Sequence, residues 1–303
     1  HTLHGQKLQW GKLFQNWSTV VKVGLILLFI AAGLLTADAQ AISLLPQADD
    51  GSLLVSSGFA VSLVWVSYAY TGWNSTVYIA GEVLHPKRNI PRSILLSTIF
   101  VIVLYVLLNF VFLYTTPMTA MVGEIEIVYI ACQYIFGTVG AKIFALGLSI
   151  LLVSTVSSYV YIGPRIMQTM GQDYSYMGYL SKTNDQGIPV NAFLLQLLIC
   201  LVFIFSSSFE QVLLYAGIVL IFTTTITAAA VFVLRYKEPD LPRPYKTWGY
   251  PWTPLIFIIV NLWILYYIFW EKPLESFIGM GIIILSLGLY YLGKNYLKVA
   301  GKE

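Results

Sequence analysis

Charge is scarce in this chain. Only 10% of its 303 residues are Asp, Glu, Lys or Arg, against about a quarter in ordinary soluble domains. By contrast 58% are hydrophobic, and the mean hydropathy is +0.76. So little charge excludes an ordinary water-soluble domain. Cysteine is nearly absent as well. Cys132 and Cys200 lack metal-type spacing and the second sits inside an apolar run, which excludes a disulfide framework and a thiolate zinc site. The three histidines, His1, His4 and His85, fall outside the apolar runs, and none pairs with Cys or a carboxylate at ligand spacing. No metal and no cofactor are expected. The net charge of +3 is small and no basic patch stands apart from the loops, so nucleic acid is not an expected partner. No apolar run assembles a nucleophile with a base or a phosphate loop, and an enzyme is not expected.

What the chain has in abundance is long apolar runs. Stretches of about 20 residues, enough at about 1.5 Å per residue to cross a hydrocarbon core of roughly 30 Å, lie near 17–36, 58–81, 92–114, 140–163, 190–206, 211–235, 254–270 and 276–293. Runs such as VGLILLFIAAGLL and SILLSTIFVIVLYVLL are apolar all round. A transmembrane β-barrel would instead show shorter segments of alternating polarity. The expectation is an all-α integral membrane protein with about eight transmembrane helices, and the lipid bilayer is its first partner.

Eight spans divide the polar segments into two alternating sets. All of the 17 basic residues except Lys22, Lys142 and Lys272 fall in the set that holds both chain ends. By the positive-inside rule that set is cytoplasmic, in a plasma (cell inner) membrane. No apolar core precedes Trp17, so no signal peptide is visible, and a chain that begins with His rather than Met suggests a fragment.

One span is interrupted. The stretch Tyr68 to Val83, YAYTGWNSTVYIAGEV, places Thr71, Gly72, Asn74, Ser75 and Thr76 inside an apolar run. Gly disfavours helix by about 1 kcal/mol relative to Ala, and Ser, Thr and Asn offer the backbone competing hydrogen bonds. A break over 69–74 is tolerable in a bilayer only where the freed groups face protein, water or a ligand. Secondary transporters build substrate sites from such breaks. Small residues also serve simply to pack helices closely, and both readings stand on this stretch alone. Tyr68, Tyr70 and Trp73 crowd aromatic surface around the polar patch, as a pocket wall would. The span should end at His85-Pro86, and Asn89 before Ile90-Pro91 suits the N-cap of the next helix. Glu82 reads as an ordinary interfacial carboxylate.

These residues carry a resemblance. AGEVLHPKRNIPRS following YTGWN resembles the sixth transmembrane helix and following loop of amino acid permeases of the amino acid-polyamine-organocation (APC) superfamily. GPRIMQTMGQD with GIPVNAF near 163–193, and VLRYKEPDLPRPYKTWGYPWTP near 233–254, agree in order and spacing. The resemblance covers nearly the whole chain from Trp17 onward. It implies a leucine-transporter-like fold of two inverted five-helix repeats (5+5) plus two extra helices, of which this chain would supply helices five to twelve. Residues 17–36 would then be the last helix of the first repeat, 58–235 the second repeat, and 254–293 the two extra helices, in a single transmembrane domain lacking the first four helices. The resemblance also implies roles. Tyr68 would gate the site, carbonyls of Tyr68, Ala69 and Thr71 would take the substrate amino group, and Tyr70, Gly72, Trp73 and Asn74 would complete the unwound turn. Some acid-coupled relatives carry a carboxylate where Asn74 stands.

Lys22 is the one basic residue well inside a span, and an intramembrane ionisable group is a functional candidate by default. The resemblance places a lysine here in proton-coupled permeases, facing hydroxyls that correspond to Ser154, Thr155, Ser157 and Ser158. In that role Lys22 would load and release a proton. Alternatively, roughly 8 Å from the cytoplasmic end by helix rise, it snorkels to the interface. The leading expectation is secondary active transport of an amino acid by alternating access, as a proton-coupled symporter or an exchanger. The other is an eight-span membrane scaffold or partner subunit without transport of its own.

Overall fold

The computed structural model describes residues 8–36, 39–43, 45–48, 50–78, 80, 83–206, 208–243 and 245–299, with side chains for all of these except 8–15, 75, 78, 154 and 294–299. The expected Glu82 carboxylate and the hydroxyl of Ser154 therefore lie outside the described residues. Helices and turns make up the fold, with no strand among the described residues. In chain order the helices are α1 (Leu8–Leu34), α2 (Asp50–Leu54), α3 (Ser57–Ala69), α4 (Ser75–Tyr78), α5 (Pro86–Thr115) and α6 (Met118–Met121). They continue with α7 (Ile127–Asp173), α8 (Val190–Ser206), α9 (Phe209–Lys237), α10 (Trp252–Glu271) and α11 (Pro273–Val299).

Among the described residues, the eight apolar runs correspond to six helices of spanning length and two shorter ones, Ser57–Ala69 and Val190–Ser206. Each shortening has a local cause. Glycine and polar residues stop α3, and Ser208, shortly after α8, caps the next helix. The Ser208 hydroxyl accepts from Gln211 N–H at 3.3 Å while the Gln211 side chain accepts from Ser208 N–H at 3.1 Å, a reciprocal capping box. Ser56 caps α3 by accepting from Phe59 N–H at 3.2 Å.

Two features differ from expectation. Helix α5 starts at Pro86, a turn before the expected N-cap at Asn89. Proline's fixed φ suits a first helical position, and Asn89 donates from Nδ2 back to the Leu84 carbonyl at 2.6 Å. The polar connection expected between the third and fourth runs also contains a helix: α7 begins at Ile127 and turns at Gly137, whose φ is 69° and ψ 179°. The stretch before that turn is helical because it has an apolar face to bury, with Ala131 and Cys132 almost fully enclosed.

The chain divides into two compact units. The first comprises His1–Leu45, Ser93–Arg165 and Thr183–Ile188. Its core joins Phe29 and Ile30 of α1, Leu104 and Val111 of α5, and Ala131, Cys132 and Ala141 of α7. Phe29 packs against Phe112 and Phe144 at ring separations of 5.5 and 5.6 Å, inside the usual range for aromatic pairs. Gly33 permits this packing, because a Cβ there would collide with Val111 Cγ1. The second unit comprises Pro46–Arg92, Ile166–Lys182 and Pro189–Glu303. Its core joins Val64 of α3, Leu214, Ile218 and Ile221 of α9, and Ile264 and Ile268 of α10. In both units large apolar side chains such as Leu96, Ile150, Val153, Leu198 and Ile256 remain exposed, as they should on faces that meet hydrocarbon rather than water.

Candidate functional site

Helix α3 ends tightly. Tyr70 N–H bonds back to the Val66 carbonyl at 3.2 Å and Thr71 N–H to the Tyr68 carbonyl at 3.0 Å, a shortened last turn. Gly72 then adopts φ 103°, a left-handed conformation that costs glycine nothing and other residues a good deal. Residues 70–74 form a turn, and helix resumes at Ser75 with Val77 N–H bonded to the Asn74 carbonyl at 2.9 Å. The polar stretch thus breaks the apolar helix where its composition indicates.

Alongside the break, within the second unit, lies a cavity of about 320 Å³. Tyr70, Thr71, Gly72, Trp73 and Asn74 form one wall. Ser67, one turn earlier on α3, adds a hydroxyl. Leu220, Ile221 and Thr224 of α9 and Phe257, Val260, Asn261 and Ile264 of α10 close the other sides. No Asp, Glu, Lys or Arg lines it among the described residues. Five of the seven break residues singled out in the sequence therefore share one cavity. Tyr68, which is 39% exposed, and Ala69 are not on its lining.

Ser67, Thr224 and Asn261 were not among the residues expected at the site, and for Ser67 and Thr224 nothing in the sequence marks them. For Asn261 a signal existed: it is the one amide in the apolar run PLIFIIVNLWILYYIFW, and polar groups inside a span are costly unless partnered. Asn261 is 6% exposed, and its Nδ2 has no hydrogen-bond partner among the described residues.

In the first unit, Lys22 on α1 donates from Nζ to Thr155 Oγ1 on α7 at 2.9 Å. The threonine hydroxyl in turn donates to the Leu151 carbonyl of its own helix at 3.4 Å, leaving a lone pair for the ammonium. Ser157 and Ser158 lie on the next turn of the same helix.

The polar motifs between spans act as helix terminators and ties. Arg243 folds back over the end of α9, donating to the carbonyls of Leu234, Glu238, Pro239 and Leu241 at 2.6–3.2 Å. Leu234 belongs to the last turn of α9, Glu238 is its C-cap, and Pro239 and Leu241 lie in the loop that follows, so the guanidinium ties that loop to the helix end. Arg235 lies over the Tyr250 ring at 3.6 Å and Arg165 over the Tyr161 ring at 3.9 Å, both within cation–π range. Asn191 donates from Nδ2 to the Tyr179 carbonyl at 2.8 Å, tying α8 to the preceding 3₁₀ turn.

Comparison with known proteins identifies the family. A family model described as amino acid permease matches residues 1–293. The large neutral amino acids transporter small subunit 2 of Mus musculus is 26% identical over 239 residues, covering 77% of this chain and 44% of the relative. The b(0,+)-type amino acid transporter 1 of Mus musculus is 22% identical over 301 residues, covering 98% of this chain and 61% of the relative. The serine/threonine exchanger SteT of Bacillus subtilis is 22% identical over 289 residues, covering 93% of this chain and 64% of the relative. The chain spans about half the length of the curated relatives it matches. With a family model covering nearly all of it and apolar helices throughout, the chain is an integral membrane protein and belongs to the amino acid permease family.

Proposed function

We propose that this chain forms part of a secondary active amino acid transporter that works by alternating access, as a proton-coupled symporter or as an exchanger. The observation that carries the reading is the cavity beside the break at Gly72. An apolar helix has little reason to interrupt its hydrogen bonding at such a place unless a ligand takes up the released groups. Thr71, Gly72 and Asn74 would contact the substrate's polar groups, and Tyr70 and Trp73 would form the aromatic wall. The family resemblance assigns the gate to Tyr68 and an amino-group carbonyl to Ala69. The substrate class follows from the relatives, whose names describe amino acid transporters and a serine/threonine exchanger.

The pair formed by Lys22 and Thr155 suits ion coupling. The threonine presents a lone pair to the ammonium, a charge-assisted contact that weakens when the proton and charge leave. Ser154, Ser157 and Ser158 belong to the same proposed cluster. Lys22→Ala should abolish amino acid-dependent proton uptake, and unchanged coupled uptake in that variant would remove Lys22 from the mechanism. Basic residues concentrated on one set of loops favour an orientation with both chain ends in the cytoplasm of a plasma membrane.

The test uses the full-length protein reconstituted in proteoliposomes. Uptake of labelled proteinogenic L-amino acids is followed either with an imposed pH gradient or with vesicles preloaded with the same amino acids. Saturable uptake driven by one of the two is the expected result. No uptake under either condition would replace this reading with a scaffold or partner subunit.

A further inference from the structure

The loop between α9 and α10 joins two helices long and apolar enough to cross a membrane, so it lies at a membrane face. Beside it is a cavity of about 450 Å³, lined by Arg235 from the last turn of α9 and by Pro239, Leu241, Arg243 and Lys246 from the loop. It shares no residue with the cavity beside the break. Three of its five lining residues are cations, whereas the carboxylates of the same segment, Glu238 and Asp240, are not on the lining. No carboxylate among the described residues pairs with Arg235, Arg243 or Lys246. Two of the three charges are held in place without being neutralised. Arg235 lies over the Tyr250 ring, which Phe232 backs at 5.3 Å. Arg243 is fixed by four backbone carbonyls, neutral acceptors that leave its positive charge whole. Lys246 is exposed and makes no hydrogen bond or ion pair among the described residues. A cleft lined by charge of one sign concentrates counter-ions, and Lys and Arg together suit a phosphate oxyanion.

We propose that this cavity binds the phosphate headgroup of an anionic phospholipid, with Arg235, Arg243 and Lys246 supplying the positive charge. Phosphate chemistry alone would also admit a soluble phosphate, and the surroundings favour the bilayer as its source. Tyr236, Tyr245, Trp248 and Trp252, all on the same segment, are largely exposed. Exposed Tyr and Trp beside the ends of spanning helices belong at headgroup level, where basic pockets take the phosphates of anionic lipids. Pro239 and Leu241 add apolar lining that suits a lipid's glycerol and first methylenes better than a free ion. The site requires only that the chain sits in a membrane, and stands whether or not the break holds an amino acid.

The experiment uses the full-length protein in a neutral detergent, mixed with equal amounts of phosphatidylglycerol and phosphatidylcholine of the same acyl chains. Native mass spectrometry counts the copies of each that stay bound. The unsubstituted protein should retain phosphatidylglycerol in preference, and Arg235→Gln/Lys246→Gln should lower that preference by about tenfold or more. Lys237→Gln, which removes a charge from the same segment but not from the lining, should leave most of it. Where the double variant fails to fold, Lys246→Gln alone, whose side chain holds nothing in place, should lower the preference by about threefold or more. Equal retention of the two lipids, a preference that survives these substitutions, or one that Lys237→Gln reduces as much, would overturn the proposal. Inorganic phosphate, compared with chloride at the same ionic strength, separates the two sources. Loss of bound phosphatidylglycerol in phosphate alone would reassign the site to a soluble phosphate and overturn the lipid assignment, and retention in both supports it.

Discussion

Two glycines break apolar helices in this protein by the same backbone device and with different consequences. Gly72 sits at φ 103° between α3 and α4, and Gly137 at φ 69° inside α7. Around Gly72 the neighbours are Thr71, Asn74, Ser75 and Thr76, and the turn forms a wall of a cavity. Around Gly137 the neighbours are Ile135 and Phe136, packed against the first unit's core, followed by Thr138 and Val139. A Cβ built at Gly137 would meet nothing within 4 Å. The Gly137 break is a corner that lets a short helix lay Ala131 and Cys132 onto the core. A left-handed glycine therefore marks where a helix stops, and the polarity and packing of its neighbours decide whether the stop is a site or a bend.

Substitution sharpens that contrast. The largest effect should come from Gly72→Ala. Forcing a side chain into this conformation costs on the order of 1–3 kcal/mol, and the turn relieves the strain by reshaping the cavity wall. Amino acid uptake should fall by at least about tenfold at an unchanged level of folded protein in the membrane. Uptake close to that of the unsubstituted protein would separate the break from the substrate. Next comes Gly217→Ala on α9. Its new Cβ would lie 2.6 Å from Val64 Cγ1 on α3, and a β-branched side chain has little room to give. Overpacking of this kind costs about 1–3 kcal/mol and should appear as a lower thermal unfolding midpoint in detergent. Uptake should weaken too, because α3 and α9 both wall the cavity. Gly137→Ala should have the smallest effect on transport. At φ 69° and ψ 179° the backbone occupies a region essentially confined to glycine, where a Cβ costs on the order of 1–3 kcal/mol, so stability drops in the same unfolding assay, while uptake per folded molecule stays within roughly twofold. A transport defect there as large as that of Gly72→Ala would erase the distinction between the two breaks.

The break was readable in the sequence because its cause is local: five helix-disfavouring or backbone-competing residues within six positions of an apolar run. The starts of α3 and α9 are set as locally, by the capping serines Ser56 and Ser208. Lys22 drew attention as a lone cation in a span, but its contact with Thr155 joins residues 133 positions apart, and the expectation of it came from the family resemblance. Gly137 escaped notice because the helix before it is short and its apolar face is legible only against Phe29 and Val111 of other helices. Thr224 escaped for the same reason, being ordinary on its own helix, whereas Asn261 was legible as the one amide in its apolar run; only the packing of α3, α9 and α10 brings the two to one cavity.

The claim that the break at Gly72 is the substrate site is tested most directly by protection from a thiol reagent. Cys132 is buried and Cys200 is exposed, so Cys200→Ala removes the accessible thiol of this chain. Ser67→Cys then exchanges one atom on the cavity wall, and Val139→Cys, beside the other break and 74% exposed, serves as the control. Labelling of each by a membrane-permeant maleimide is timed with and without a mixture of proteinogenic L-amino acids. The account predicts that amino acids slow labelling at position 67 severalfold and leave position 139 unaffected. Equal labelling rates at position 67 with and without amino acids, in protein that still transports them, would contradict it.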